Sequence, residues 1–450
     1  MLFLPGEPHR FCDGMSRRSF LSIGYLGAVG LTLDGFLRAR AAQAASPQPG
    51  AARKPCSVIL FWQHGGPSQL DTFDLKPDAP REYRGPYRPI PTKVPGIQIS
   101  ELMPYHAAVM DKMTIFRAFT HGNGDHFAAA HWMLTGYLGA NGSDHEPRNP
   151  SMGSVASYLL GPKRVGLPAY VNMNDGGFGF HGAAYLGAAY HPIRTGKFSY
   201  GNEGVQLAAV NEENFYLVDG LDAGRLKSRL SLLDQVDRIR REVDTSGKFA
   251  SLDRATREAV DIVTSGRARE AFDLSREDDR IREAYGPGWG EQALLARRLI
   301  EAGVRFVTLN TGYWDDHGKI QRALDNKLPR HDRAMGVLIA DLAQRGLLDD
   351  TLVISAGEFG RTPRINKDAG RDHWPQAQSI AVAGGGYRGG QVVGATSSKA
   401  EYPTDRPITP NDFSAIIYHA LGLEPETAIS NLQGRPTHLL AGGKVPSELL

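Results

Sequence analysis

Two kinds of hydrophobic patterning alternate along this chain. The first is a set of short, nearly continuous apolar runs: Ser57-Val-Ile-Leu-Phe-Trp62, Met113-Thr-Ile-Phe116, Ala169-Tyr-Val-Asn172, Val304-Arg-Phe-Val-Thr-Leu309, Thr351–Ser355 and Ser379-Ile-Ala-Val-Ala383. Runs of this length without strict polar alternation predict strands buried on both faces. The second is apolar spacing of three and four residues. It predicts a helix from about Phe127 to Leu134 and another over Gln292–Ala302, ended by Gly303. Two more follow, over His331–Arg345, with Met335, Leu338, Ile339 and Leu342 on one face, and over Asn411–Leu421. Strand and helix in turn imply an α/β fold with a doubly wound, mainly parallel sheet and helices on both faces.

One region breaks this alternation. Residues 139–204 are rich in Gly, Asn, Pro and Tyr and read as long loops. Over 222–285, Leu226, Leu230, Leu233, Val236, Ile239 and Val243 recur at helical spacing among charges, as in a set of amphipathic helices. The expectation is one large domain over 46–450 with a loop-rich and helical cap inserted at about 139–290. Gly384-Gly-Gly-Tyr-Arg-Gly-Gly390 lacks the Lys-Ser/Thr ending of a phosphate loop and reads as a turn.

The amino terminus has a different character. Arg17-Arg18 followed by Phe20-Leu21, a weakly apolar stretch to Leu37, and Ala42-Gln43-Ala44 have the form of a twin-arginine export signal over 1–45. The expected location is the periplasm or the exterior. Asp34 and the glycines make that stretch too polar for a stable span, so no membrane anchor is expected after its removal. The chain has 2 cysteines, and only Cys56 lies beyond the signal, so packing rather than a disulfide must hold the fold. A net charge of +2 gives no basic excess to argue for nucleic acid.

Candidate chemistry follows the strands. His64 and Asp71 come after the first run, and His121, Asp125, His126 and His131 after the second. Asp315-Asp316-His317 follow Leu309. Glu358, Arg361, Arg364 and the pair Asp372-His373 follow Ser355. Open α/β sheets place ligands beyond the carboxyl ends of their strands, where these residues can meet. Mixed imidazole and carboxylate shells suit a divalent cation such as zinc, manganese or calcium. Arg361 and Arg364 are candidates for holding an anion. The bland alternatives are that Asp315-Asp316-His317 cap a helix near Lys319 and that Arg361 and Arg364 form ion pairs with Glu358 or Asp368.

Several of these stretches together resemble a known family. They are His64-Gly-Gly-Pro-Ser-Gln-Leu-Asp71, Asp125-His126 through Met133-Leu-Thr-Gly136, Gly357-Glu-Phe-Gly-Arg-Thr-Pro363 and Gly370-Arg-Asp-His-Trp374. The chain resembles the exported proteins classed as a domain of unknown function (DUF1501), grouped with alkaline phosphatases and sulfatases. The resemblance implies a one- or two-metal site that hydrolyses phosphate or sulfate esters. It implies that Asp316, His317, Glu358 and His373 lie near metal-ligand positions, and that Thr135-Gly136 ends the helix of the nucleophile. At the nucleophile position, where that superfamily has Ser, Thr or Cys, this chain has His126. His64 stands where an Asp is expected, and Phe359 where a His is expected.

Two functions follow as expectations. The first is an exported metal-dependent hydrolase of an anionic ester on a small molecule or saccharide. In it His64, Asp71, Asp316, His317, Glu358 and His373 share the metal, Asp125 or His126 is the nucleophile or base, and Arg361 holds the oxyanion. The alternative is an inactive relative that binds glycans or a protein partner.

Overall fold

The computed structural model describes residues 55–139, 147–175, 180–197, 225, 228, 248–431 and 433–450. The stretch expected to be an export signal, most of the linker after it, and all six apolar positions of the helical pattern, Leu226, Leu230, Leu233, Val236, Ile239 and Val243, lie outside the described residues.

Eight strands form one sheet: β1 (Ser57–His64), β2 (Met113–Phe119), β3 (Tyr170–Asp175), β4 (Ile193–Lys197), β5 (Phe306–Tyr313), β6 (Thr351–Ala356), β7 (Gln378–Gly384) and β8 (Gln391–Val393). Their order is β8-β2-β7-β6-β1-β5-β3-β4. β1 lies at the centre, parallel to both β5 and β6. β7 alone runs against its neighbours β2 and β6. The reason is local. Between β6 and β7 the chain makes no helical crossover, only a two-stranded ribbon pairing Gly360–Arg361 with His373–Trp374. It therefore re-enters the sheet from the end at which it left.

Side-chain alternation on β1 divides the core into two. Ile59 and Phe61 face one layer with helices α3 (Trp289–Ala302) and α4 (Ile320–Gln344). Val58, Leu60 and Trp62 face the other, with α1 (His126–Thr135), α2 (Met152–Leu159) and α5 (Pro410–Ala420). The fold is the expected doubly wound α/β sheet.

Two boundaries differ from expectation. The helix expected at His331 begins at Ile320 and continues through Pro329. Ile320, Leu324, Leu328, Met335 and Leu338 form one buried stripe, and that burial outweighs the local cost of a proline inside a helix. The region 139–290 is also less separate than a cap would be. β3 and β4 extend the central sheet, and Ala268, Ala271, Phe272 and Tyr285 enter its core. Among the described residues, no helix is long and apolar enough to cross a membrane.

Candidate metal centre

The carboxyl ends of β1, β2, β5 and β6 deliver the site. Beyond β1, Gly65 and Gly66 have φ of 94° and 81°, which only glycine adopts without strain. A Cβ on Gly66 would overlap the carbonyl oxygen of Phe359. This close approach lets Arg361 reach back to β1. Arg361 is wholly buried. Its Nε donates to Gly66 O at 2.9 Å, Nη1 donates to Arg371 O at 3.3 Å, and Nη2 reaches both Gly65 O and Asp315 Oδ1. All its nitrogens are spent on protein, so the expected oxyanion role is replaced by a structural one: Arg361 anchors Asp315.

Beyond β5, Trp314 turns into the core beside Trp289. The two acids after it diverge. Asp316, an expected ligand, pairs with the half-buried Lys327 at 2.6 Å. Burial pushes its carboxyl up, and Lys327 opposes that shift. Asp315 turns the other way, into the cluster. Burial alone would raise its pKa, but hydrogen bonds from His126 and His373 and the Arg361 charge hold it well below the carboxylate range.

Three imidazoles converge on this carboxylate through Nε2. His317 Nε2 lies 2.9 Å and His373 Nε2 3.1 Å from Oδ1, and His126 Nε2 lies 3.3 Å from Oδ2. In each ring the other nitrogen faces an acceptor. His373 Nδ1 is 2.9 Å from Gly124 O, His317 Nδ1 is 2.7 Å from Asp372 Oδ1, and His126 Nδ1 is 2.5 Å from Glu358 Oε1. A carbonyl only accepts, so His373 carries a proton on Nδ1, and its Nε2 donates to Asp315 when protonated and offers a lone pair to a cation when not. The Asp372 carboxylate, 2.7 Å from His317 Nδ1, accepts a hydrogen bond from that nitrogen in the same way. Yet the two Nε2 atoms stand 3.1 Å apart. Two lone pairs so close, both directed at a carboxylate oxygen, require a proton or a cation among them. The ligand atoms of His126, Asp315 and His373 all lie within 4.8 Å of one another.

Glu358, at the end of β6, is fully buried. Its Oε1 accepts from Gly65 N at 2.8 Å as well as from His126, while Oε2 has no hydrogen-bond partner among the described residues. Its backbone oxygen accepts from His121 Nε2 at 2.7 Å, and burial lowers the His121 pKa to about 4. The ring of Phe359 lies against His126 and His373, with centroids 4.8 and 4.7 Å away.

Of the residues picked out from sequence, the fold thus brings together His126, His317, His373 and Glu358, with Arg361 behind them. Others fall elsewhere. Asp71 is fully buried against Arg371 at 2.8 Å. Asp125 caps α1, accepting from Ala128 N at 2.9 Å. His64 is fully buried and hydrogen-bonded to Asn310; burial and then His181 lower its pKa. Asp315 takes the position assigned to its neighbour Asp316. The sequence signal for it was only adjacency, since either acid of the pair fits the motif.

The centre has a pH signature of its own. In metal-free protein, burial would lower the His126 pKa, but hydrogen bonds to Asp315 and Glu358 outweigh it and raise the value to about 9. A raised histidine stabilises the fold fully below its unfolded pKa of 6.5, and that contribution is lost as pH climbs through 9. Urea unfolding of metal-free protein should therefore give a midpoint that falls between pH 6.5 and 9, and His126→Gln should flatten that slope.

The fold and site together define an α/β protein with a histidine–carboxylate centre at the carboxyl edge of its sheet. The chain belongs to the family described as protein of unknown function (DUF1501), which it matches over residues 56–450. No curated protein matches the sequence significantly. Among solved structures, Ps i-CgsB in complex with k-i-k-neocarrahexaose is similar at 10% identity and a TM-score of 0.41, over 85% of this chain and 75% of that one. PsFucS1 sulfatase from Pseudoalteromonas sp. is similar at 13% and 0.38, over 83% and 69%. Alkaline phosphatase from the Antarctic bacterium TAB5 is similar at 12% and 0.36, over 82% and 98%. These are likenesses in the course of the backbone and carry nothing about chemistry.

Proposed function

We propose that this chain is a metal-dependent hydrolase of anionic esters, with a divalent cation held by Asp315, His126, His317 and His373. The observation that carries the reading is the convergence of three Nε2 atoms on one carboxylate while each Nδ1 is fixed by an acceptor. Acceptors on the outer nitrogen are the usual way protein orients metal-binding histidines. The buried Oε2 of Glu358, which has no hydrogen-bond partner among the described residues, is a further acceptor beside the centre. Mixed nitrogen and oxygen donors fit zinc or manganese better than calcium, which prefers oxygen.

A divalent cation there supplies Lewis acidity toward an ester oxygen. The chain's own groups do the rest. Arg361 offsets one of the three carboxylates about the centre, Asp315, Glu358 and Asp372, and a dication offsets the other two, so an anionic substrate meets no net repulsion there. Phe359 seals the inner side and fixes the planes of His126 and His373. The side chain of His317 is 47% exposed, so substrate approaches across it. Glu358, held by Gly65 N, keeps His126 in one orientation and is a positioning residue. We also propose that the protein is exported by the twin-arginine route, on the motif at Arg17-Arg18.

The test is metal analysis of purified protein, followed by assays of 4-nitrophenyl phosphate and sulfate with zinc, manganese and calcium. Bound metal and turnover that a chelator removes are the expected result. No bound metal and no turnover with any ion overturns the reading. Metal without turnover leaves the non-catalytic binding protein.

A further inference from the structure

Two cavities lie side by side next to the centre. One, of about 610 Å³, is bordered by Arg81, Lys319 and Arg322 together with one acid, Asp325, which is engaged by the Tyr87 hydroxyl at 3.0 Å. The other, of about 630 Å³, is bordered by Arg364, Lys367 and Trp374. Ile365 lines both, so they read as one groove. The groove meets the centre at Asp372, which lines the second cavity and binds His317 Nδ1 at 2.7 Å.

The groove gathers cations that have no acid to hold them, unlike Arg297 and Arg345, each of which touches Glu277, Glu301 and Asp341. Arg81, Lys319, Arg322, Arg364 and Lys367 are all exposed, and none has an ion-pair partner among the described residues. Gathering like charges without partners raises the local potential, and the natural complement is a ligand with several negative charges.

The rest of the lining narrows the class. Trp374 is fixed by donating from Nε1 to Glu401 O at 2.6 Å, so its ring is presented in one orientation. A rigid indole suits the C–H face of a sugar. Asp372 and Glu401 also line the cavity, and carboxylates accept from the hydroxyl groups that a sugar ring offers between its acidic substituents. We propose that the groove binds a segment of an acidic polysaccharide, with Trp374 stacking on one ring and the five cations pairing with sulfate or carboxylate groups on its neighbours. The proposal deepens the hydrolase reading and rests on it for the reaction, since the groove would lead one ester of the chain to the centre.

The test is calorimetric titration of the full chain with a fully sulfated tetrasaccharide, at low and at moderate salt, with and without metal. Wild-type protein should bind, more weakly as salt rises. The Arg364→Ala, Lys367→Ala double variant should bind at least ~10-fold more weakly, as should Trp374→Ala. Unchanged melting midpoint and metal content show that these variants are folded. Absence of binding by wild type, unchanged affinity in the variants, or equal affinity for the unsulfated sugar overturns the proposal. Tighter binding of a single-stranded oligonucleotide of equal charge also overturns it, in favour of nucleic acid. The two readings fail separately: saccharide binding without any ester turnover removes only the hydrolase, and aryl-ester turnover without saccharide binding removes only the groove.

Discussion

Asp315→Asn is expected to abolish stoichiometric metal retention, weakening cation affinity by more than ~100-fold. The figure exceeds the ~10–100-fold typical of groups that merely support a ligand, because Asp315 is the acceptor at which the three imidazoles meet. An amide keeps the shape but removes the charge, and its nitrogen would face nitrogen lone pairs. The substitution also leaves the buried Arg361 guanidinium without its carboxylate, which lowers stability. Asp316→Asn is the discriminating control. It removes the partner of Lys327 and so costs stability, but it should leave metal content unchanged because Asp316 faces away from the imidazoles. Metal content after exhaustive dialysis, read by mass spectrometry, decides the matter. Wild-type metal content in Asp315→Asn, or its loss in Asp316→Asn alone, would refute the placement of the centre.

Arg371→Met should give the largest loss of stability, on the order of 3–5 kcal/mol, because it strands Asp71 as a buried charge. Both side chains are 0% exposed. Nε of Arg371 donates to Asp71 at 2.8 Å, Nη1 donates to Thr362 O at 3.0 Å, and Nη2 donates to Tyr83 O at 2.8 Å. One guanidinium thus ties the segment after β1, the short helix Arg81–Arg84 and the ribbon that carries His373. Adding Asp71→Asn to Arg371→Met should recover part of the loss, since no uncompensated charge then remains. Urea midpoints at constant slope measure both effects. A loss below ~1 kcal/mol for the single variant would mean that the pair lies in a wetter environment than its burial indicates.

The same two residues show how far the site was legible in sequence. Position after a strand identified every segment that reaches the centre, because strand ends deliver loops to one edge wherever the sheet is parallel. Position did not say which residue of a segment turns inward. Asp71 lies seven residues beyond His64 and looked like a ligand. Its carboxylate is instead taken by Arg371, 300 residues away in sequence. Arg361 looked like an anion receptor, but the glycines after β1 let backbone carbonyls approach and use up its donors. Asp315 and Asp316 are equivalent in any reading of spacing. The burial of Trp314 fixes the rotation of the chain between β5 and α4, and that rotation sends one acid to Lys327 and the other to the histidines.

The sequence by itself determined the layers of this protein. Apolar runs of strand length and stripes of helical period need only local geometry and the drive to bury apolar surface, so β1, β2, β5, β6 and β7 and the helices α1, α3, α4 and α5 follow from pattern alone, whereas α2 lies in a stretch that read as loops. It also determined the chemical inventory at the sheet edge: imidazoles, acids and guanidinium groups on loops after parallel strands. Only the tertiary structure decided the pairing of that inventory. A hydrogen bond or ion pair between residues tens to hundreds of positions apart depends on side-chain direction and on which partner the packing brings within reach. Both are properties of the packed chain and not of any segment of it.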